Sequence, residues 1–230
     1  MTDSSPTTPS TDEFDLDPNE VRVLGVLIEK AFLTPDVYPL SVNAIVSGCN
    51  QLTGRDPVLA LSEAEVQDAI EGLLARRLIS RRDQAGARVA KYEHLVRLRH
   101  SLAPPEQAVL AVLMLRGPQT AGEIRQRSER MHAFSDIAAV EAALEHLAEK
   151  YPPMVTALPR APGTKETRHA HLMSGTDALA ACVTAASVAG AELPGTPRGR
   201  LGELEEELLR LRQELDELRS EFRQFRSSFE

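Results

Sequence analysis

The sequence predicts an α+β chain, mainly helical with small β-hairpins, built as a tandem repeat and closed by a C-terminal coiled-coil helix. Three observations carry this. A helix opening is written twice: Leu16, Pro18, Glu20, Val23, Leu24, Val26 and Leu27 return 86 residues later as Leu102, Pro104, Glu106, Val109, Leu110, Val112 and Leu113. A second apolar set, Val66, Ile70 and Leu73, returns as Val140, Leu144 and Leu147 at a spacing of 74. Finally, Leu201, Leu204, Leu208, Leu211, Leu215, Leu218, Phe222, Phe225 and Phe229 alternate three and four residues apart without a slip.

Residues 1–15 form an acidic tail of Ser, Thr, Pro and Asp with little to bury, expected to be disordered. The first unit spans 16–100. Asp17 can cap its first helix and Glu20 can reach back to it, with Pro18 where a missing N–H costs nothing. That helix covers Pro18–Phe32, with Val23, Leu24, Leu27, Ile28 and Ala31 as its buried stripe. Thr34-Pro35 and Tyr38-Pro39 break it, Ser41–Asn50 offers a short second helix, and Gln51–Ala60 is a loop. Ser62 opens the third helix, boxed by Glu65. Ile79–Arg82 and Arg88–Leu95 then flank a five-residue loop containing Gly86, the pattern of a hairpin.

The second unit, 101–175, repeats the order: Pro104–Arg116, then Thr120–Met131, then a third helix capped by Ser135. Strands follow at Met154–Pro159 and Arg168–Met173. Its first helix has Ala103 where Asp17 stands, so that start is expected to be weaker. The two repeat spacings place twelve extra residues between helices one and three of the first unit. Three helices closed by a hairpin is the order of a winged helix, a variant of the helix-turn-helix. Residues 176–200 read as an Ala-rich helix and a Pro/Gly linker, and 201–230 as the coiled coil. Its g positions Glu207, Glu214 and Glu221 face the e positions Arg212, Arg219 and Arg226 in a parallel pair, which predicts a parallel homodimer.

The formal net charge of −8 is carried by the two ends. Four acids and no base lie in residues 1–16, and nine acids against five arginines in 201–230. The middle is neutral, so acidity does not exclude a nucleic-acid partner. Two cysteines without ligand spacing, no secretory leader and no bilayer-length apolar run predict a cytoplasmic chain without a membrane partner. No nucleophile–base or acid-pair motif is present, so no enzyme, cofactor or metal is expected. His169 and His171 share a strand face at a spacing metals use, but nothing in the sequence ties a third ligand to them. Cys49 reads as an inert core thiol, and Gly163-Thr164-Lys165 as a wing tip rather than a phosphate loop.

The candidate nucleic-acid contacts are Arg76, Arg77, Arg81, Arg82, Arg88 and Lys91 in the first unit, and Arg125, Arg127, Lys165 and Arg168 in the second. Residues 76–99 as a whole carry +6, at the place where a winged helix meets phosphates. The third helices point the other way. Glu63, Glu65, Asp68 and Glu71, and in the second copy Asp136, Glu141, Glu145 and Glu149, set carboxylates where major-groove reading would need donors. The sequence therefore favours a non-catalytic regulator touching double-stranded DNA by wing and backbone contacts, dimerised by its coil. The alternative is a scaffold docking a basic protein on its acidic third helices.

Several motifs resemble the YceH family of bacterial proteins. These are Tyr38-Pro39-Leu40-Ser41-Val42-Asn43, Cys49-Asn50-Gln51, Arg55-Asp56-Pro57-Val58 and Leu61-Ser62-Glu63-x-Glu65-Val66. Lys91-Tyr92-Glu93, Leu115-Arg116-Gly117-x-Gln119-Thr120 and Phe134-Ser135-Asp136 follow in the same order. The resemblance covers about residues 16–175 and implies tandem winged-helix domains without an established activity.

Overall fold

In the computed structural model, which describes residues 14–82, 89–160 and 166–175, Asp17 ends extended chain and starts the first helix. Its carboxylate accepts the N–H groups of Asn19 and Glu20 at 2.7 and 2.8 Å, while Glu20 accepts the Asp17 N–H at 2.9 Å. That complete capping box launches α1, Pro18–Leu33. A 3₁₀ turn at Pro35–Val37 leads to strand β1, Leu40–Ser41, and helix α2, Val42–Cys49. Ser62 and Glu65 box the start of α3, Glu63–Ala75. Strands β2, Ile79–Arg82, and β3, Lys91–His94, pair antiparallel with Ile79 opposite His94 and Arg82 opposite Lys91. A single turn, α4 (Val96–Arg99), joins the halves.

The second half runs α5 (Pro104–Arg116), β4 (Gln119–Thr120), α6 (Ala121–Ser128), α7 (Ile137–Glu149), β5 (Val155–Ala157) and β6 (Arg168–His171). At Ala103 only the returning half of the box exists, Glu106 accepting the Ala103 N–H at 2.8 Å. The fold is thus α+β, with two three-stranded antiparallel sheets ordered β1-β3-β2 and β4-β6-β5. All described residues belong to one compact unit. The acidic tail before Phe14, the Ala-rich segment, the linker and the nine-residue seam from Leu201 to Phe229 lie outside the described residues.

Four sequence expectations are corrected. The two-residue strands β1 and β4, too short to show any alternation, complete each sheet, and α4 occupies chain read as featureless. The helical turn of α7 begins one residue later than expected, because Asp136 rather than Ser135 accepts the Ala139 N–H, at 2.8 Å. The extra residues of the first copy are divided: α1 is three longer than α5, and the rest lengthen the α1–β1 and α2–α3 connections. Most consequential, α1 is buried around its whole circumference from Glu20 to Ile28, not along one stripe.

The reason for the last correction is that α1 and α5 pack on each other at the centre. Leu24, Leu27, Ile28, Leu110, Leu113 and Leu115 are all fully buried, each contributing roughly 1.5–3 kcal/mol of transfer free energy. Gly25 permits the approach, since a Cβ there would sit 3.0 Å from Leu115 Cδ2. A larger residue at 25 would wedge the two halves apart. The halves also close reciprocally. Arg76 donates to the Asp15 carbonyl and faces Glu20, while Lys150 donates to the Ser101 carbonyl and faces Glu106. Those residues match by the two sequence spacings, so the duplicated helices keep one strut between the end of helix three and the start of helix one. Leu16 N–H bonds to Met173 O, tying the entrance of the first half to the exit of the second.

Candidate functional site

The cations nominated from sequence fall into distinct settings. Arg76, at the C-cap of α3, is half-buried in the strut just described, 2.8 Å from Asp15 O and 3.6 Å from Glu20 Oε1. Arg77 is exposed next to it, its backbone in the left-handed region at φ 57°. Arg81 and Arg82 are exposed on β2, and Lys91 is half-buried opposite Arg82. Arg82 reaches across to Glu93 at 2.7 Å, but with 62 % of its side chain exposed that pair is held only weakly. Arg88 and Lys165 lie outside the described residues.

In the second half the nominated arginines work internally. Arg125, on α6, donates to the Ser135 carbonyl at 2.9 Å and to that of Phe134 at 3.4 Å, pinning the turn before α7. Arg168 donates to Pro118 O at 2.8 Å and pairs with Glu123 at 3.1 Å, and Arg127 lies 3.9 Å from the same carboxylate. Burial would raise the Glu123 carboxyl, but the Thr120 N–H and the two arginines outweigh it and hold it low. Among the described residues, Arg81, Arg82 and Lys91 lie on the β2–β3 pair with Arg77 just before it, whereas Arg76, Arg125 and Arg168 bond to carbonyls of the fold.

Both third helices turn carboxylates to solvent. Glu63, Glu65, Asp68 and Glu71 are exposed on α3, and Glu141, Glu145 and Glu149 on α7. Glu65 is held low by the Ser62 N–H and hydroxyl that it accepts, so it is charged at neutral pH. On α7 the carboxylates alternate with exposed Ala138, Ala142 and Ala148, and an exposed Ile137 stands at its start. A charged surface with small apolar gaps can take the side chains of a basic partner.

Two buried guanidinium groups escaped the sequence reading. Arg55 is fully enclosed and grips Glu29 with two bonds, 3.0 and 2.6 Å, while donating to the carbonyls of Gly48 and Gly54 and to Gln51 Oε1. Burial would raise Glu29, and the Arg55 bonds and charge, helped by Lys30, reverse that and hold it low. Arg22, also buried, donates to Cys49 O at 3.1 Å and Pro57 O at 2.6 Å, and burial together with the Arg55 charge lowers its pKa. The available signal was a lone Arg amid the apolar positions of α1, which only a specific partner could accommodate. Cys49 is buried beside them and its thiol is pushed up to about 12 by desolvation, the behaviour of an inert core residue.

His169 and His171 lie on β6, both with Nδ1 buried and without a hydrogen-bond partner. Burial depresses both, His171 to about 4, so both rings are neutral at pH 7. No group of three His, Cys, Asp or Glu side chains that could hold a metal occurs among the described residues. No helix among them is long and apolar enough to cross a membrane.

The described residues form a duplicated helix-and-sheet arrangement with carboxylates exposed on both third helices. The family described as "Protein of unknown function, DUF480" matches residues 16–164, and the chain belongs to it. A UPF0502 protein of Azoarcus sp. (strain BH72) is 72% identical over 210 residues, 91% of this chain and 92% of its own. A UPF0502 protein of Janthinobacterium sp. (strain Marseille) is 52% identical, with 92% of each chain covered, and one of Geobacter sulfurreducens is 48% identical over 84% of this chain and 88% of its own. These relatives bear out the resemblance drawn from the motifs, and none of the three names carries an activity.

Proposed function

We propose that the chain is a non-catalytic tandem winged-helix protein whose acidic third helices dock a basic protein partner. Each half has the helix–strand–helix–helix–strand–strand order of a winged helix, with the first strand joining the hairpin as an outer strand. The observation that carries the choice of partner is the outward face of α3 and α7, where a DNA reader would place donors and this chain places carboxylates in both copies. Phosphates are repelled there, whereas Lys and Arg side chains are attracted. Two chains joined in parallel through the seam from Leu201 to Phe229 present four such faces, and multivalency strengthens a weak single contact.

A second reading is supported by the Arg77, Arg81, Arg82 and Lys91 group at the β2–β3 end, which suits the backbone of a DNA duplex. The two are separated by one pair of measurements on the full chain. A partner recovered by cross-linking and then purified should bind at least tenfold more weakly to Glu141→Lys/Glu145→Lys, with the Arg81→Ala/Arg82→Ala chain unchanged. A 30-base-pair duplex should show no binding at 50 mM salt. Duplex binding that falls about 10²-fold between 50 and 200 mM salt, as four neutralised phosphates require, and that is lost in Arg81→Ala/Arg82→Ala, overturns the first reading in favour of the second.

A further inference from the structure

The α2–α3 connection, residues 50–62, is five residues longer than its counterpart 129–136 in the second half. It has little secondary structure, yet it is fixed along its length. Asn50 bonds both the N–H and the carbonyl of Leu61 at 2.8 Å, Arg55 anchors its middle to Glu29, Arg22 holds Pro57 O, and the Asp56 N–H bonds to Leu115 O at 2.9 Å. Burying two guanidinium groups to order a surface connection is costly, and such loops are more often functional than incidental.

What the connection shapes is one wall of a cleft of about 320 Å³ between the two halves. Pro57 and Leu59 of the connection, Val21 of α1, and Met114, Pro118 and His171 of the second half line it. The size lies at the lower end of small-molecule sites, and the walls are apolar, as such sites usually are. Two polar groups interrupt them. Arg22 lines the cleft, its guanidinium donates to two neutral carbonyls, and the carboxylate whose charge acts on it, Asp56, lies in the same lining without an ion pair to it. Two of its five N–H groups are used. Arg55, ringed by Glu29, shows how this chain neutralises a buried guanidinium when it does so within the fold. The second polar side chain in the lining is His171. Asp56, exposed and in the same lining, repels any anion that enters, a dianion about twice as strongly as a monoanion.

We propose that this cleft is a binding site for a small apolar monocarboxylate, whose carboxylate is held by Arg22 and His171 and whose hydrocarbon body packs on Val21, Leu59 and Met114. The site unites residues of both halves, so occupancy stiffens the junction between them. The test is a titration of the full chain with 4-isopropylbenzoate, with 4-isopropylbenzamide as its uncharged counterpart, followed by backbone amide shifts. The carboxylate should saturate with Kd below about 1 mM and shift Val21, Ala170 and His171, and the amide should bind at least tenfold more weakly. Leu59→Trp, which fills the cleft from a half-exposed position, should reduce carboxylate affinity at least tenfold with its thermal transition retained. His171→Phe, on the opposite wall, provides the same check through a different element and should weaken binding three- to tenfold. Equal affinity for the two probes, shifts centred elsewhere, or no saturation by the carboxylate overturns the proposal.

Discussion

Replacing Arg55 with Met removes the stronger of the two cations on the largely buried Glu29 carboxylate of the first half. The Arg55 side chain is 0 % exposed and Glu29 13 %, and two bonds of 3.0 and 2.6 Å join them. Met keeps most of the volume, so the principal loss is charge compensation. Removing one partner of a buried pair typically costs about 3–5 kcal/mol. Lys30, 3.2 Å from the same carboxylate and partly exposed, remains, which places the expected loss near the lower limit, about 3 kcal/mol. For a unit of this size that corresponds to a fall of about 6–12 °C in Tm. The sign with pH follows from Glu29. Its folded pKa is held below the ordinary value, so the pair contributes fully above that value and is lost as pH falls through the folded one. In Arg55→Met burial, the largest influence on Glu29, raises the carboxyl against Lys30 alone, so acid relieves the variant by protonating Glu29. Urea unfolding of both chains at pH 7 and pH 4 should therefore show a gap that narrows in acid. Arg55→Met/Glu29→Met should recover most of the loss. A loss under about 1 kcal/mol at pH 7, or a gap that widens in acid, refutes the reasoning.

Three further outcomes are expected. Ala103→Asp should stabilise the chain by about 1 kcal/mol in urea unfolding, because Ala103 has nearly the backbone angles of Asp17 and lacks only the cap acceptor; no gain would mean α5 is not limited by its start. Gly48→Ala should cost about 1–3 kcal/mol, since its Cβ would lie 2.6 Å from Val26 Cγ1. In Gly48→Ala/Val26→Ala the two losses should fall short of adding, and strict additivity would count against the contact. Ring resonances of His94 and His171 should titrate with midpoints near 4, and stability should decline as pH falls from 6.5 towards 4, because the unfolded chain binds protons there that the buried rings refuse. Midpoints near 6.5 would show the rings to be solvated.

Repetition made much of this legible. Leu16 to Leu27 and their copies located both first helices, and Ser62 with Glu65 announced α3 to the residue. Glu20 and Glu106 are one of the seven matched pairs, but the strut they join was not legible, because Arg76 read as a nucleic-acid contact and Lys150 carried no signal. A charge run does not distinguish a cation facing water from one bonded to a carbonyl 61 residues away, as Arg76 is. The carbonyl bonds of Arg125 and Arg168, both exposed, were unreadable for the same reason. The acidic faces of α3 and α7 were legible because helical spacing alone sets them opposite the buried Val66, Ile70, Val140 and Leu144.

Local chemistry settled from the sequence what needs only neighbours along the chain: helix starts, the apolar faces, the duplication, and the outward direction of the carboxylates. The tertiary structure decided what depends on distant segments meeting. It enclosed α1 on every side by laying α5 against it, bonded Arg76, Arg125 and Arg168 to carbonyls of distant segments, and drew the 50–62 connection against the second half so that Arg22 and His171 line one cleft. The physical reason is range. Capping and periodicity act within a few residues, whereas the fate of a charge is set by whichever carbonyl, carboxylate or apolar wall the folded chain brings to it.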